Sequence, residues 1–192
     1  MASEIYDNGL TCAFTLKNVD ISIANGIRRS CFADVPTLAI EELAIETNTS
    51  VHADEVLALR LGLMVLRGTG QPAGIALDVT CPDDASERTV TMADFAWPED
   101  GLEPLYPETP IVTLERGQRI KLLASVEWGT GHAHAKWNPC NRVSLQHLPD
   151  RAYRLEIESN GQHPAIGVAL MSIEHLINLM DTVMERDYDK ET

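Results

Sequence analysis

The chain has 192 residues, 44% of them hydrophobic, and its 29 acidic against 15 basic side chains leave a formal charge of -14. That length allows one domain or two small ones, and the acidic balance argues against a protein that grips duplex DNA along its backbone, which needs a positive face. No run approaches the roughly 20 apolar residues of a membrane span, and the start MASEIYDNGLT lacks the basic and apolar regions of a secretory leader, so an intracellular protein with protein partners is expected.

In chain order, Cys12, Phe14 and Leu16 alternate with Ala13, Thr15 and Lys17, which predicts a strand. Asp20 is placed to cap a helix, and Pro36 must end it, because the residue before proline avoids helical angles. Within it Ala24, Ile27, Cys31 and Val35 share one apolar face, while Asn25 and Arg29 sit one turn apart on another. TLAIEELAIET (37–47) predicts strand. The polar NTS then opens a helix from His52 to Leu61, which Gly62 closes. GTGQPAG (68–74) is loop. IALDVTC and RTVTM predict two strands joined by the polar turn PDDASE, and WPEDGLEPLYPETP (97–110), with its four prolines, a long loop. IVTLERGQRIKLLASVEW predicts a hairpin turning near Arg116-Gly117; RVSLQHL and YRLEIES predict two more strands, the second ended by Asn160-Gly161.

Pro164 suits the start of a last helix, Ala165 to Arg186. With Ile166 opening a heptad, Ile166, Ala169, Leu170, Ile173, Leu176, Ile177, Met180, Val183 and Met184 form one apolar stripe, and Leu179 widens it. Glu174, His175, Asn178, Asp181, Thr182 and Glu185 fill the opposite side. Packing on the chain's own sheet accounts for part of such a stripe. One small sheet cannot cover all of it, so a partner helix is expected. The charged tail RDYDKET is expected to fray. Cys12, Cys31, Cys81 and Cys140 lie far apart without a CxxC pair, and are expected as free thiols packed like small hydrophobes.

The string GTGHAHAKWNPC (129–140) offers the most chemistry. On a strand His132 and His134 would share a side and could begin a metal site with Cys140 or His147. No HExxH accompanies them, so local hydrogen bonding in a glycine-rich loop is the plainer reading. GxSxG, P-loop and GxGxxG strings are absent, and Asp54 and Glu55 are adjacent, so on a helix they point apart. No catalytic residue is expected. Arg28-Arg29 could bind phosphate, and Lys136 and Trp137 could stack on a base. Within an acidic whole, salt bridges and a protein partner are expected instead.

Three stretches in series, DISIANGIRRSCFADVPTLAIEEL, NTSVHADEVLALRLGLMVL and GTGHAHAKWNPC, resemble the alpha-like assembly subunit of multisubunit RNA polymerases. That family includes bacterial alpha, its archaeal counterpart and the third subunit of eukaryotic RNA polymerase II; the resemblance is closest to the archaeal and eukaryotic branch. It implies an α+β fold. A dimerisation domain of helices on an antiparallel sheet would come from residues 1–47 plus 147–192, with a mostly β domain, 48–146, inserted.

By the same resemblance, Ala24, Ile27, Cys31, Ile166, Leu170, Ile173, Ile177, Met180 and Met184 would face a smaller alpha-like subunit in a heterodimer. Asn25, Arg28, Arg29, Glu55, Arg60, His134, Lys136 and Trp137 would face the second-largest catalytic subunit. Asp54, Leu61 and Gly62 complete one of the matched motifs. Small zinc-binding subunits would dock beside the pair, with no sequence-specific nucleic-acid contact and no membrane. The implied function is non-catalytic assembly of the polymerase, in the nucleus, an archaeal cytoplasm, or the virion or factory of a large DNA virus.

Departures exist. Many relatives carry extra cysteines in the inserted domain for zinc or an iron–sulphur cluster, whereas RGTGQPAGIALDVTCPDD holds only Cys81, so no metal or other cofactor is expected. Leu59 stands where relatives often have histidine. Two alternatives to the scaffold reading are a small metal-dependent enzyme using His132 and His134, and a homodimeric adaptor outside transcription that shares only the fold.

Overall fold

The computed structural model describes residues 3–68, 73–99 and 101–188. Its elements run β1 (Ser3–Asp7), β2 (Thr11–Lys17), α1 (Ile21–Ala33), β3 (Pro36–Asn48), α2 (Asp54–Gly62), β4 (Leu66–Arg67), β5 (Ala73–Thr80), β6 (Glu87–Thr91), β7 (Glu103–Pro104), β8 (Pro110–Glu115), β9 (Arg119–Thr130), β10 (Cys140–Leu148), β11 (Ala152–Ser159) and α3 (Ala165–Tyr188). The architecture is α+β with antiparallel pairings. The chain forms two compact units, residues 1–37 with 130–192, and residues 38–129. It crosses between them inside β3 and inside β9, upstream of the joints at 47/48 and 146/147 that the resemblance implied. The predicted loop at 68–74 and the frayed tail fall largely outside the described residues; the last helix itself continues to Tyr188.

In the first unit the sheet order is β1-β2-β11-β10. Alternation on β11 turns Tyr153, Leu155 and Ile157 toward the helices, and Cys12 and Phe14 of β2 join them. β2 is buried on its second face too, at Ala13 and Thr15, which alternation alone did not foretell. α1 starts where predicted: the Asp20 carboxylate accepts from the Ser22 N–H at 2.9 Å. That bond favours the ionised carboxylate and holds its pKa below the ordinary value. The helix ends at Ala33, one turn from Pro36.

Ala24, Ile27, Ser30 and Cys31 bury themselves between α3 and the sheet. The two helices meet through small side chains. The Cys31 thiol donates to Ser172 Oγ at 3.3 Å, Ser30 Oγ to the Ser172 carbonyl at 3.3 Å, and Ser172 Oγ to the Ala169 carbonyl at 2.8 Å. Small residues let the helix axes approach, and the hydroxyls and thiol leave no buried polar atom orphaned among the described residues.

The four cysteines are free and buried, as their spacing suggested. Burial pushes the thiol of Cys12 up to about 11 and that of Cys140 up to about 12, from 9.0, and raises Cys31 as well. The unfolded thiols ionise first, so the unfolded state binds fewer protons above pH 9.0. Stability is therefore expected to be full below about pH 9 and to fall as pH rises toward 11 and 12, the folded values of Cys12 and Cys140. Urea midpoints of wild type and of Cys12→Ala/Cys140→Ala, compared at mildly and strongly alkaline pH, check this. An equal decline in both chains would count against it.

The second unit holds a sheet of order β3-β9-β5, two small pairs, β4-β7 and β6-β8, and α2. Its core alternates as a half-buried sheet should. Ile75, Leu77 and Val79 of β5 stand opposite Ala124, Leu122 and Ile120 of β9 and share their buried face. The predicted hairpin of β8 and β9 is not formed. β8 pairs with β6, and β9 with β5 and β3. The tight turn is present, at Gly117 with φ 73°. The end of β5 captures it: the Gly117 N–H donates to the Cys81 carbonyl at 3.0 Å, and the Cys81 N–H to the Gln118 carbonyl at 2.9 Å. That clamp starts β9 alongside β5 and leaves β8 to β6, so the strands flanking PDDASE are not partners either.

α2 begins at Asp54 rather than His52, and Gly62 lies in its last turn with Leu63 as the cap. The upstream polar residues make a separate loop, in which Asn48 Nδ2 donates to the His52 carbonyl at 2.9 Å and to Asp54 Oδ1 at 2.7 Å. Within the proline-rich stretch, Glu103–Pro104 pairs with β4.

Candidate functional site

α1 and α3 leave a groove of about 490 Å³ along their outer side, lined by Ser22, Ile23, Gly26, Ile27, Ile173, Leu176, Ile177, Met180 and Asp181. On the side of α3 turned away from its own unit, Leu170 is 61% exposed, Ile177 54%, Met180 63% and Met184 63%. With half-buried Ile173 they stand at successive spacings of three and four residues, the row that a second helix fills. Leu179 and Val183 broaden it, and on α1 Ile21 and Ile23 are about half exposed.

By length and composition α3 also has an apolar stretch, Ala165–Glu185, long enough to cross a bilayer, which corrects the expectation that no such run exists. Its inner face is nevertheless occupied by its own unit, at Ala165, Val168, Ala169 and Ser172, and Glu174, Asp181 and Glu185 interrupt it.

The expected partner-facing residues divide. Ile166 and Ile173 are half-buried, and Leu170, Ile177, Met180 and Met184 are exposed. Ala24 and Cys31 are fully buried in the chain's own core and Ile27 only borders the groove, so the open face of α1 is Ser22, Ile23 and Gly26 instead. The helical wheel allowed either face. Small Ala24 and Cys31 suit a close helix contact, and that signal was in the sequence.

Of the second set, Arg28 Nε donates to Asn25 Oδ1 at 2.9 Å, and Arg29 is exposed. Glu55 is exposed on α2, while Arg60 Nη2 donates to the Pro110 carbonyl at 3.0 Å, which ties α2 to β8. Leu57 and Leu61 bury the inner side of α2, and Val56, Leu59 and Leu63 remain exposed on it.

The histidine string is a turn followed by a short 3₁₀ helix, Ala135–Trp137, rather than a strand. The His132 N–H donates to the Ala33 carbonyl at 2.9 Å, and His134 Nδ1 accepts from the Lys136 N–H at 3.1 Å. Trp137 is only 7% exposed, with Lys136 Nζ 4.4 Å from its ring centre and its carbonyl accepting from Thr37 Oγ1 at 2.7 Å. The tryptophan is thus an anchor in its own unit, not a presented side chain.

Cys140 is buried with its thiol toward the Cys31 carbonyl, and the His147 ring lies against Tyr153. Among the described residues no group of three or more His, Cys, Asp or Glu side chains is placed to hold a metal ion. Cys81, the single cysteine of RGTGQPAGIALDVTCPDD, is buried with its thiol toward the Pro82 carbonyl, and one thiol does not fit a metal cluster.

An α+β unit built from both ends of the chain, with an open apolar groove between its two helices, has the fold of an alpha-like dimerisation domain. The sequence profile of the RNA polymerase Rpb3/Rpb11 dimerisation domain matches residues 13–180, and the chain belongs to this family. It is 35% identical to DNA-directed RNA polymerase subunit Rpo3 of Methanocaldococcus jannaschii, over 90% of this chain and 88% of that one. It is also 35% identical to DNA-directed RNA polymerase II subunit rpb3 of Dictyostelium discoideum, over 71% of this chain and 54% of the relative. For subunit 3 of DNA-directed RNA polymerases II, IV and V of Arabidopsis thaliana the identity is 35%, over 71% and 53%. The chain therefore spans most of the first relative and about half of the other two.

Proposed function

We propose that the chain is a non-catalytic assembly subunit of a multisubunit DNA-dependent RNA polymerase, working inside the cell with that polymerase. Family membership supports the polymerase assignment. The observation that supports a pairing role is the row of Leu170, Ile177, Met180 and Met184, each more than half exposed on a helix whose packing in its own unit is confined largely to its first half. In this reading a smaller alpha-like subunit covers the α1–α3 groove and forms a heterodimer. The second-largest catalytic subunit then docks through the exposed polar side of α1, around Asn25 and Arg29, and through the turn holding His134 and Lys136. Glu55 marks a further contact on α2, and small zinc-binding subunits sit beside the pair. The archaeal and eukaryotic relatives suit a polymerase of the archaeal cytoplasm or the nucleus.

Co-expression tests the pairing. Expressed alone and concentrated, the chain is expected to be aggregation-prone or self-associated, because its apolar row is uncovered. With an alpha-like subunit from a matching polymerase it is expected to elute as a soluble one-to-one complex. A stable dilute monomer that ignores every such partner would overturn the proposal.

A further inference from the structure

The edges of the open groove bear on what covers it. Between Ala165 and Glu185, α3 carries Glu174, Asp181 and Glu185 and no lysine or arginine. If Leu170, Ile173, Ile177, Met180 and Met184 take the seam positions, Glu174 and Asp181 each follow a seam residue directly and line one side of the row. Charges at such positions set partner choice and orientation between paired helices. All three acids are exposed, and Asp181, expected on the side opposite the apolar stripe, instead lines the groove beside Met180.

Two basic residues stand near the acids of the two helices, Arg186 directly after Glu185 in the sequence and Arg151 within electrostatic reach of Asp20, and neither is next to Glu174 or Asp181 along α3. Asp20 caps the end of α1 on which Ser22 and Ile23 line the groove. His175 lies 3.8 Å from Asp34 of its own chain. Arg28 is hydrogen-bonded within α1, and Arg29 is near the opposite end of that helix.

We infer, building on the pairing role proposed above, that the partner helix bears basic side chains beside its apolar row, and that these acids disfavour a second copy of this chain. A copy laid antiparallel along the seam brings Glu174 and Asp181 against the same acidic edge. Like charges set opposite each other weaken a pairing and select against the wrong partner. The apolar row taken alone would accept a copy of itself. The net charge of -14 adds repulsion at longer range, which salt screens.

The test uses the whole chain as its own probe. E174K/D181K alters exposed side chains only, and circular dichroism confirms that the variant folds. Wild type, the variant and an equimolar mixture are compared by sedimentation and native mass spectrometry in dilute solution at low salt. The mixture is expected to form a mixed dimer at least about tenfold tighter than either chain with itself, and added salt should narrow the difference. A wild-type homodimer as tight as the mixed one would overturn the inference, as would a mixture that forms no dimer, since shape rather than charge would then exclude the copy. Neither result touches the polymerase assignment. Conversely, failure of every alpha-like partner in co-expression would remove the proposed heterodimer and leave both the family membership and a mixed dimer standing.

Discussion

Met180→Asp is expected to weaken pairing with an alpha-like partner by at least about a hundredfold while leaving the isolated chain folded. Met180 is 63% exposed and lines the groove beside Ile177. In the free chain an aspartate there is hydrated, so the change in stability should stay within about 0.5 kcal/mol, as for other surface substitutions. In the complex the same carboxylate is buried without a partner, which costs about 3–5 kcal/mol. At about 1.4 kcal/mol per tenfold, that is two orders of magnitude in Kd or more. Titration calorimetry of the refolded chain with the partner measures it, and Met180→Leu, which keeps the apolar surface, should bind almost as wild type does. Unchanged affinity in the aspartate variant would move the partner off this seam.

Gly131→Ala should have the largest effect on stability, from one methyl group. A Cβ at position 131 would lie 2.0 Å from the Phe32 carbonyl oxygen, 3.1 Å from its carbon and 3.4 Å from Ala33 Cα. All three are backbone atoms in the last turn of α1, so no side-chain rotation relieves the clash. Either the end of α1 or the turn bearing His132 and His134 must move, and the bond from the His132 N–H to the Ala33 carbonyl goes with it. Overpacking of this kind costs about 1–3 kcal/mol and the lost hydrogen bond about 1 kcal/mol. A fall of about 2–4 kcal/mol in unfolding free energy is the expected sum.

Gly26→Ala is the contrasting case. Its Cβ would meet only Leu176 Cδ1, at 3.9 Å, and alanine favours helix, so stability should hold or rise by up to about 1 kcal/mol. Urea denaturation of the two variants side by side measures both signs. Equal stability of the two would mean that the approach of Gly131 to α1 is looser than described.

Much of this protein was legible residue by residue. Asp20 as a cap, the alternation on β11, and the helix after Pro164 depend on neighbours within a few positions, so local chemistry determines them. The same holds for the excess of apolar surface on α3, since more positions were greasy than one sheet can cover.

What the sequence could not determine was which strands and faces meet. β8 and β9 flank a good turn yet take different partners, because the Cys81 backbone claims that turn from far along the chain. Ala24 and Cys31 were expected to face a partner, and Ile23 was not among the residues expected there. Only the close packing of α1 on Ser172 turned them inward and left Ile23 and Gly26 on the open side. Trp137 stood beside a lysine like a presented hot spot, and the fold buried it. Periodicity specifies that a face is apolar; which surface it meets is decided by long-range contacts whose energy exists only once the distant segments have come together.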